Sequence, residues 1–173
     1  MTAAANPKLS LRPFLAADIG IIAEIFSASV DELAAEDYSD GQRGAWIAVA
    51  DDEEELTARL VGQLTLLGMM DGSPVGFASL KGGEEVDMLY VHPAAAGHGV
   101  GSLLIEALEK LAAGRGARRL TADVSDSAQD FFKKRGFVPL QRNTIQLGGE
   151  WLANTTMEKK LAAKENRPKE IVP

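Results

Sequence analysis

The stretch Val91-His92-Pro93-Ala94-Ala95-Ala96-Gly97-His98-Gly99-Val100-Gly101-Ser102 constrains this chain more than any other. Three glycines at alternate positions follow an apolar, strand-like run, Glu85–Val91, which Pro93 stops. They precede Val100–Ala113, where Val100, Leu103, Leu104, Ala107, Leu108 and Leu111 recur at helical spacing. Glycine lets backbone N–H groups turn toward a ligand with no Cβ in the way. A helix start adds unpaired N–H donors and a partial positive charge. Such a junction is either a tight strand-to-helix turn or a cradle for a pyrophosphate. Two phosphate loops are excluded. A P-loop needs Gly-Lys-Ser/Thr, whereas Gly101 is followed by Ser102 with no lysine. The dinucleotide fingerprint needs GxGxxG inside a parallel βαβ unit, whereas the spacing here is GxGxG after what reads as an antiparallel meander.

The flanking sequence reads as a series of short elements. Lys8–Phe14 alternates as a strand, and Asp18 caps a helix with Ile19, Ile22, Ile25 and Phe26 on one face. An acidic helical region is expected from about Asp40 to Leu60. Leu64–Met70 and Val75–Leu80 read as strands around an Asp71–Pro74 turn. Arg119–Val124 is a strand, and Ser125–Arg135 a short helix stopped by Gly136. Val138–Leu147 and Leu152–Glu158 close the series as strands around Gly148-Gly149. The order β-α-α-β-β-β-α-β-α-β-β implies a mixed α/β layer fold. At 173 residues the chain fits one domain, read as residues 1–161, with 162–173 as a flexible tail.

Charge and composition narrow the partners. The net charge is −7, which argues against a nucleic-acid surface built on phosphate contacts. The acidity is local: ten acids and one base, Arg43, lie between Asp31 and Glu55, so that segment carries −9 and the remainder +2. No apolar run approaches the ~18 residues that span a bilayer. The N-terminus has no positive region leading into an apolar core, so a cytoplasmic location is expected. There is no cysteine and only two histidines, His92 and His98, so no metal site is expected.

Gly99 and Gly101, with Val91-His92-Pro93 before them, resemble the pyrophosphate loop of the GNAT superfamily of acyl-CoA-dependent N-acyltransferases. A second segment, Ser125, Ala128, Phe131, Phe132, Gly136 and Phe137, resembles that family's Asn/Ser-x-x-Ala-x-x-Phe-Tyr-x-x-x-Gly-Phe pattern. Tyr38-Ser39, Ala45-Trp46, Asp87-Met88-Leu89 and Gly149-Glu150-Trp151 suggest a YafP-like bacterial branch. The resemblance covers Leu9 to Lys160. It implies a mixed, largely antiparallel central sheet with helices on both faces. It also implies acetyl-CoA or another acyl-CoA as co-substrate and a small-molecule or peptide amine as acceptor. Dimers are common in that fold, which leaves a homodimer open.

The resemblance assigns cofactor contacts to Leu89, Val91, Gly97, His98, Gly99, Val100, Gly101, Ser102, Ser125 and Phe132. There are two departures. Ala96 stands where the family carries Gln or Arg, removing one side-chain contact to the phosphates. Phe132 stands where many members carry a tyrosine that protonates the leaving thiolate. Amine attack on a thioester needs a base and a proton source. Glu85 and Asp87, two apart on one strand, point to one face and are the candidate bases; the competing reading is a pair of solvent-facing strand acids. Tyr38 is a candidate proton donor or substrate contact, against a surface turn tyrosine. The acidic Asp31–Glu55 segment resembles the region bordering the acceptor, which suggests a cationic amine steered by its field. The two departures also motivate a rival: a non-catalytic acyl-CoA-binding or sensing module on the same fold.

Overall fold

A computed structural model describes residues 6–162, so the expected tail falls almost wholly outside the described residues. The elements are β1 (Leu9–Pro13), α1 (Ile19–Leu33), α2 (Asp40–Ile47), α3 (Glu53–Val61), β2 (Leu64–Met70), β3 (Ser73–Lys81), β4 (Glu85–Val91), α4 (Val100–Gly114), β5 (Arg119–Ser125), α5 (Gln129–Lys133), β6 (Val138–Leu147) and β7 (Glu150–Lys160). Seven strands form one sheet in the order β1-β2-β3-β4-β5-β7-β6. Every neighbouring pair is antiparallel except β4–β5.

Three expectations need correction. The acidic helical region is two helices: Ala48–Ala50 tighten into a 3-10 turn, and Asp52 caps α3 by accepting from the Glu55 N–H at 3.0 Å. Asp18 does not cap α1. Its carboxylate accepts from Leu15 N–H and from both Arg12 Nη atoms at 2.8 Å, tying β1 to the start of α1. The β2–β3 turn is only Asp71-Gly72, both at positive φ, so β3 begins at Ser73 rather than Val75.

Each sheet face carries its own core. Leu104, Ile105, Leu108 and Ala112 of α4 pack with Leu120, Phe132, Phe137 and Met157 on one face. Ile22, Ile25, Phe26 and Val30 of α1 pack with Leu56 and Leu60 of α3, Phe77 and Met88 on the other. These are the stripes that helical periodicity demands, each burying about 1.5–3 kcal/mol per large side chain. The start of α4 sits directly on the sheet. Gly68 and Gly76 pair across β2–β3, and a Cβ on either would stand 2.8 or 3.0 Å from Val100 Cγ1. Two glycines thus let the helix N-terminus, and the loop before it, lie against the strands.

Two irregularities shape the centre of the sheet. Ser79 pairs with Met88 but Leu80 pairs with Val86, so Asp87 is an extra residue, a bulge in β4. The parallel β4–β5 ladder has only two register pairs, Glu85↔Thr121 and Val86↔Ala122. Beyond them the strands part.

Candidate active site

The parting of β4 from β5 opens a cavity of about 500 Å³. Leu89, Tyr90 and Val91 of β4 form one side, and Ser125 and the Phe131–Phe132 pair the other. The glycine loop closes one end. Gly97 and Gly99 hold φ of +80° and +89°, a region that favours glycine. Leu103 N–H donates to Gly99 O at 3.0 Å, so the earlier N–H groups of Val100, Gly101 and Ser102 lack intrahelical acceptors. All three residues line the cavity.

Nine of the ten expected cofactor residues line this cavity: Leu89, Val91, Gly97, Gly99, Val100, Gly101, Ser102, Ser125 and Phe132. His98 does not. Its Nδ1 lies 3.2 and 3.1 Å from the carbonyl oxygens of Ala95 and Ala96, so the ring braces its own loop. Ser125 precedes a 3-10 turn without making a capping hydrogen bond, which leaves its hydroxyl to the cavity.

A second cavity of about 280 Å³ adjoins the first. Trp46, Tyr90 and Ser125 line both and so mark their boundary. Glu85 and Asp87 both reach the second cavity, in very different states. Asp87 Oδ2 accepts from Arg59 Nε at 2.7 Å and Gln63 Nε2 at 2.8 Å, and Oδ1 accepts from Arg59 Nη2 at 2.9 Å. Burial pushes the Asp87 pKa up, but the bonds from Arg59 and Gln63 outweigh it and hold the carboxyl below its ordinary value. The side chain of Glu85, half-buried, makes no hydrogen bond or ion pair among the described residues.

Tyr38 is 5 % exposed, so it is not a surface turn residue. Its hydroxyl donates to Ala153 O at 2.6 Å and accepts from Asp126 N–H at 2.9 Å. Burial raises its pKa. Tyr38 therefore clasps the α1–α2 connection to β7 and to the segment before α5. The acids of residues 31–55 do not line the second cavity; that segment contributes Tyr38, Trp46 and Val49 instead. The acids that do line it, Glu85, Asp87 and Asp123, come from β4 and β5. Trp151, at 59 % exposure, lines neither cavity.

Tyr90 is not among the candidate site residues named from the sequence. Its ring packs edge-on against Phe26 at 4.7 Å, but the hydroxyl accepts from Trp46 Nε1 at 3.2 Å on the boundary of both cavities. Burial pushes its pKa up to about 12. Arg59 and Asp123 were also missed. Residue type and local spacing carry no signal joining Arg59, at the end of one helix, to Asp87 on a strand 28 residues later.

Residues 34–161 match the acetyltransferase (GNAT) domain family. The chain belongs to that family. It is 29% identical over 152 residues to the uncharacterized N-acetyltransferase YafP of Escherichia coli strain K12, covering 88% of this chain and 96% of that one. The crystal structure of a GCN5-related N-acetyltransferase from Rhodopseudomonas palustris superposes with a TM-score of 0.87 at 55% identity, covering 93% and 99% of the two chains. PaiA N-acetyltransferase from Thermoplasma acidophilum, solved in complex with coenzyme A, shares the fold with a TM-score of 0.74 at 22% identity over 88% and 99%. This GNAT chain is thus an enzyme of the N-acetyltransferase class, with a mixed, mostly antiparallel sheet covered on both faces. Among the described residues no helix is long and apolar enough to cross a membrane.

Proposed function

We propose that this GNAT domain transfers an acetyl group from acetyl-CoA to a primary amine of a small molecule or peptide. The observation that carries this reading is the gap between β4 and β5, with free helix N–H groups at one end and an acid-bearing cavity beside it. The residues present fit the co-substrate. The N–H groups of Val100, Gly101 and Ser102 suit a diphosphate, and the open edge of β4 at Leu89 and Val91 suits the amides of a pantetheine arm. Acetyl-CoA supplies the thioester; the N–C bond forms as the C–S bond breaks, so the amine loses a proton and the sulfur gains one.

Glu85 takes the amine proton, directly or through water, because its carboxylate faces the second cavity with its lone pairs free. Asp87 acts by position: with three accepted hydrogen bonds it is a weak base and holds Arg59 and Gln63 against the bulge. Tyr90 gives the sulfur its proton. It stands on the boundary, its own O–H has no acceptor among the described residues, and its raised pKa keeps it protonated at neutral pH. Phe132 has no hydroxyl to offer, so the role falls to a tyrosine on β4 rather than α5. In the second cavity Glu85, Asp87 and Asp123 face a single cation, Arg59, already paired with Asp87. That balance favours a cationic acceptor.

Calorimetric titration with CoA, followed by thiol release from acetyl-CoA with a panel of amines, tests this reading. Binding and amine-dependent thiol release are expected. Binding with no release for any amine class supports the non-catalytic module instead, and absence of CoA binding overturns both.

A further inference from the structure

The glycine loop offers no side-chain charge to a diphosphate: the position where the resembled family has Gln or Arg is Ala96. Among the residues lining the larger cavity there is one cation, Arg135, just past the end of α5. Lys133 and Lys134 beside it are exposed and do not line the cavity.

The Arg135 guanidinium is held on three sides. Its central carbon lies 3.5 Å from the centroid of the Phe131 ring. Nη1 donates to Phe131 O at 2.8 Å, and Nη2 donates to Ser102 Oγ. Phe131 is itself pressed on the first turn of α4, since a Cβ on Gly101 would meet the ring edge at 3.1 Å. The cation is therefore fixed next to the same N–H groups that face the cavity. It forms no ion pair with any carboxylate among the described residues. A guanidinium has five N–H donors, and two contacts leave donors for an incoming anion. A planar, pre-positioned fork suits two phosphate oxygens better than a flexible ammonium does.

We propose that Arg135 supplies the side-chain charge for the diphosphate of the co-substrate, so that the cation missing from the loop at Ala96 has been relocated to the end of α5. This rests on the acyl-CoA reading above. The ligand chemistry is a pyrophosphate diester, recognised jointly by the α4 N-terminus and one stacked arginine.

The test compares the full-length protein with Arg135→Gln and with the double variant Ala96→Arg/Arg135→Gln, all checked for folding by circular dichroism and thermal melting. Calorimetry with CoA should show Arg135→Gln binding about tenfold to a hundredfold more weakly, the usual span for losing one charge-assisted bidentate contact. Acetyl transfer from S-acetylpantetheine, which carries no phosphate, should be the same for both. The double variant should recover most of the lost CoA affinity. Equal CoA affinity in wild type and Arg135→Gln overturns the proposal. Equal loss with CoA and S-acetylpantetheine also overturns it, because the side chain then merely supports the fold. A double variant as weak as the single one overturns the relocation. If the wild type binds no CoA, it is the acyl-CoA reading that fails.

Discussion

Glu85 and Asp87 are two residues apart on β4 and border one cavity, yet their surroundings predict opposite phenotypes. Asp87→Asn removes a carboxylate that accepts three hydrogen bonds. Hydrogen bonds to charged groups are worth ~1.5–3 kcal/mol each before screening. The amide keeps one acceptor oxygen, and Arg59 is 40 % exposed while Asp87 is 12 % exposed, so solvent discounts the total to about 1–2 kcal/mol. For a chain of 173 residues that is a fall in Tm of roughly 2–8 °C. Turnover should drop less than about tenfold, since the group positions rather than reacts. Glu85→Gln loses no bond, so its Tm should stay near wild type while kcat falls about 10²–10⁴-fold, the usual worth of a general base. The pH dependence of stability adds a sign. The Asp87 pKa is lowered in the fold, so its contribution is complete above the ordinary value of 3.8 and is lost as pH falls through the lower folded value. Acid melts should therefore converge for wild type and Asp87→Asn. Differential scanning calorimetry and thiol-release kinetics on both variants decide the matter. If Asp87→Asn abolishes turnover at unchanged Tm while Glu85→Gln works normally, the assignment of base and positioning residue is inverted.

The chain has two tyrosines, and burial raises the pKa of both, Tyr90 to about 12. Spectrophotometric titration should show no phenolate below pH ~10, and stability should decline as pH rises from about 10 toward 12, because a raised folded pKa favours the neutral form. Phenolate absorbance from the folded protein near pH 9 contradicts this. Tyr38→Phe loses a donated and an accepted bond and leaves Ala153 O and Asp126 N–H without it. Thermal melting should show a loss of about 1–3 kcal/mol, with the larger effect on stability rather than kcat. Tyr90→Phe should lower kcat about a hundredfold with CoA affinity by calorimetry unchanged; full turnover would remove it as the proton source.

Element existence was largely legible because periodicity and punctuation act locally. The α4 stripe from Val100 to Leu111, the Gly136 stop and the Gly148-Gly149 turn are set by neighbours a few residues away. The glycine cradle was legible for the same reason: strand, loop and helix N-terminus are contiguous in the chain. The second cavity was not. Its walls bring together Tyr38, Trp46, Arg59, Asp87, Asp123 and Leu152, which only the sheet order makes neighbours. A charge run such as residues 31–55 also misleads, because its net value says nothing about which carboxylates turn inward. The state of Asp87 depends on Arg59 and Gln63 arriving from another layer, and no pattern along β4 reports that.

The two-pair ladder between β4 and β5 has a consequence for how such a site can change over time. Past Val86 the backbone of β4 has no partner on β5, so unpaired main chain borders the gap. Apart from proline, and from the loop glycines whose conformation or packing excludes a side chain, residues along the rim can exchange side chains and keep the amides that border the slot. Ala96 and Phe132 are positions where a side chain can vary with the slot intact. The second cavity, walled by residues from α1, α2, α3, β4, β5, β6 and β7, enjoys no such insulation. A single gene lineage can therefore hold one half of its chemistry constant and diversify the other.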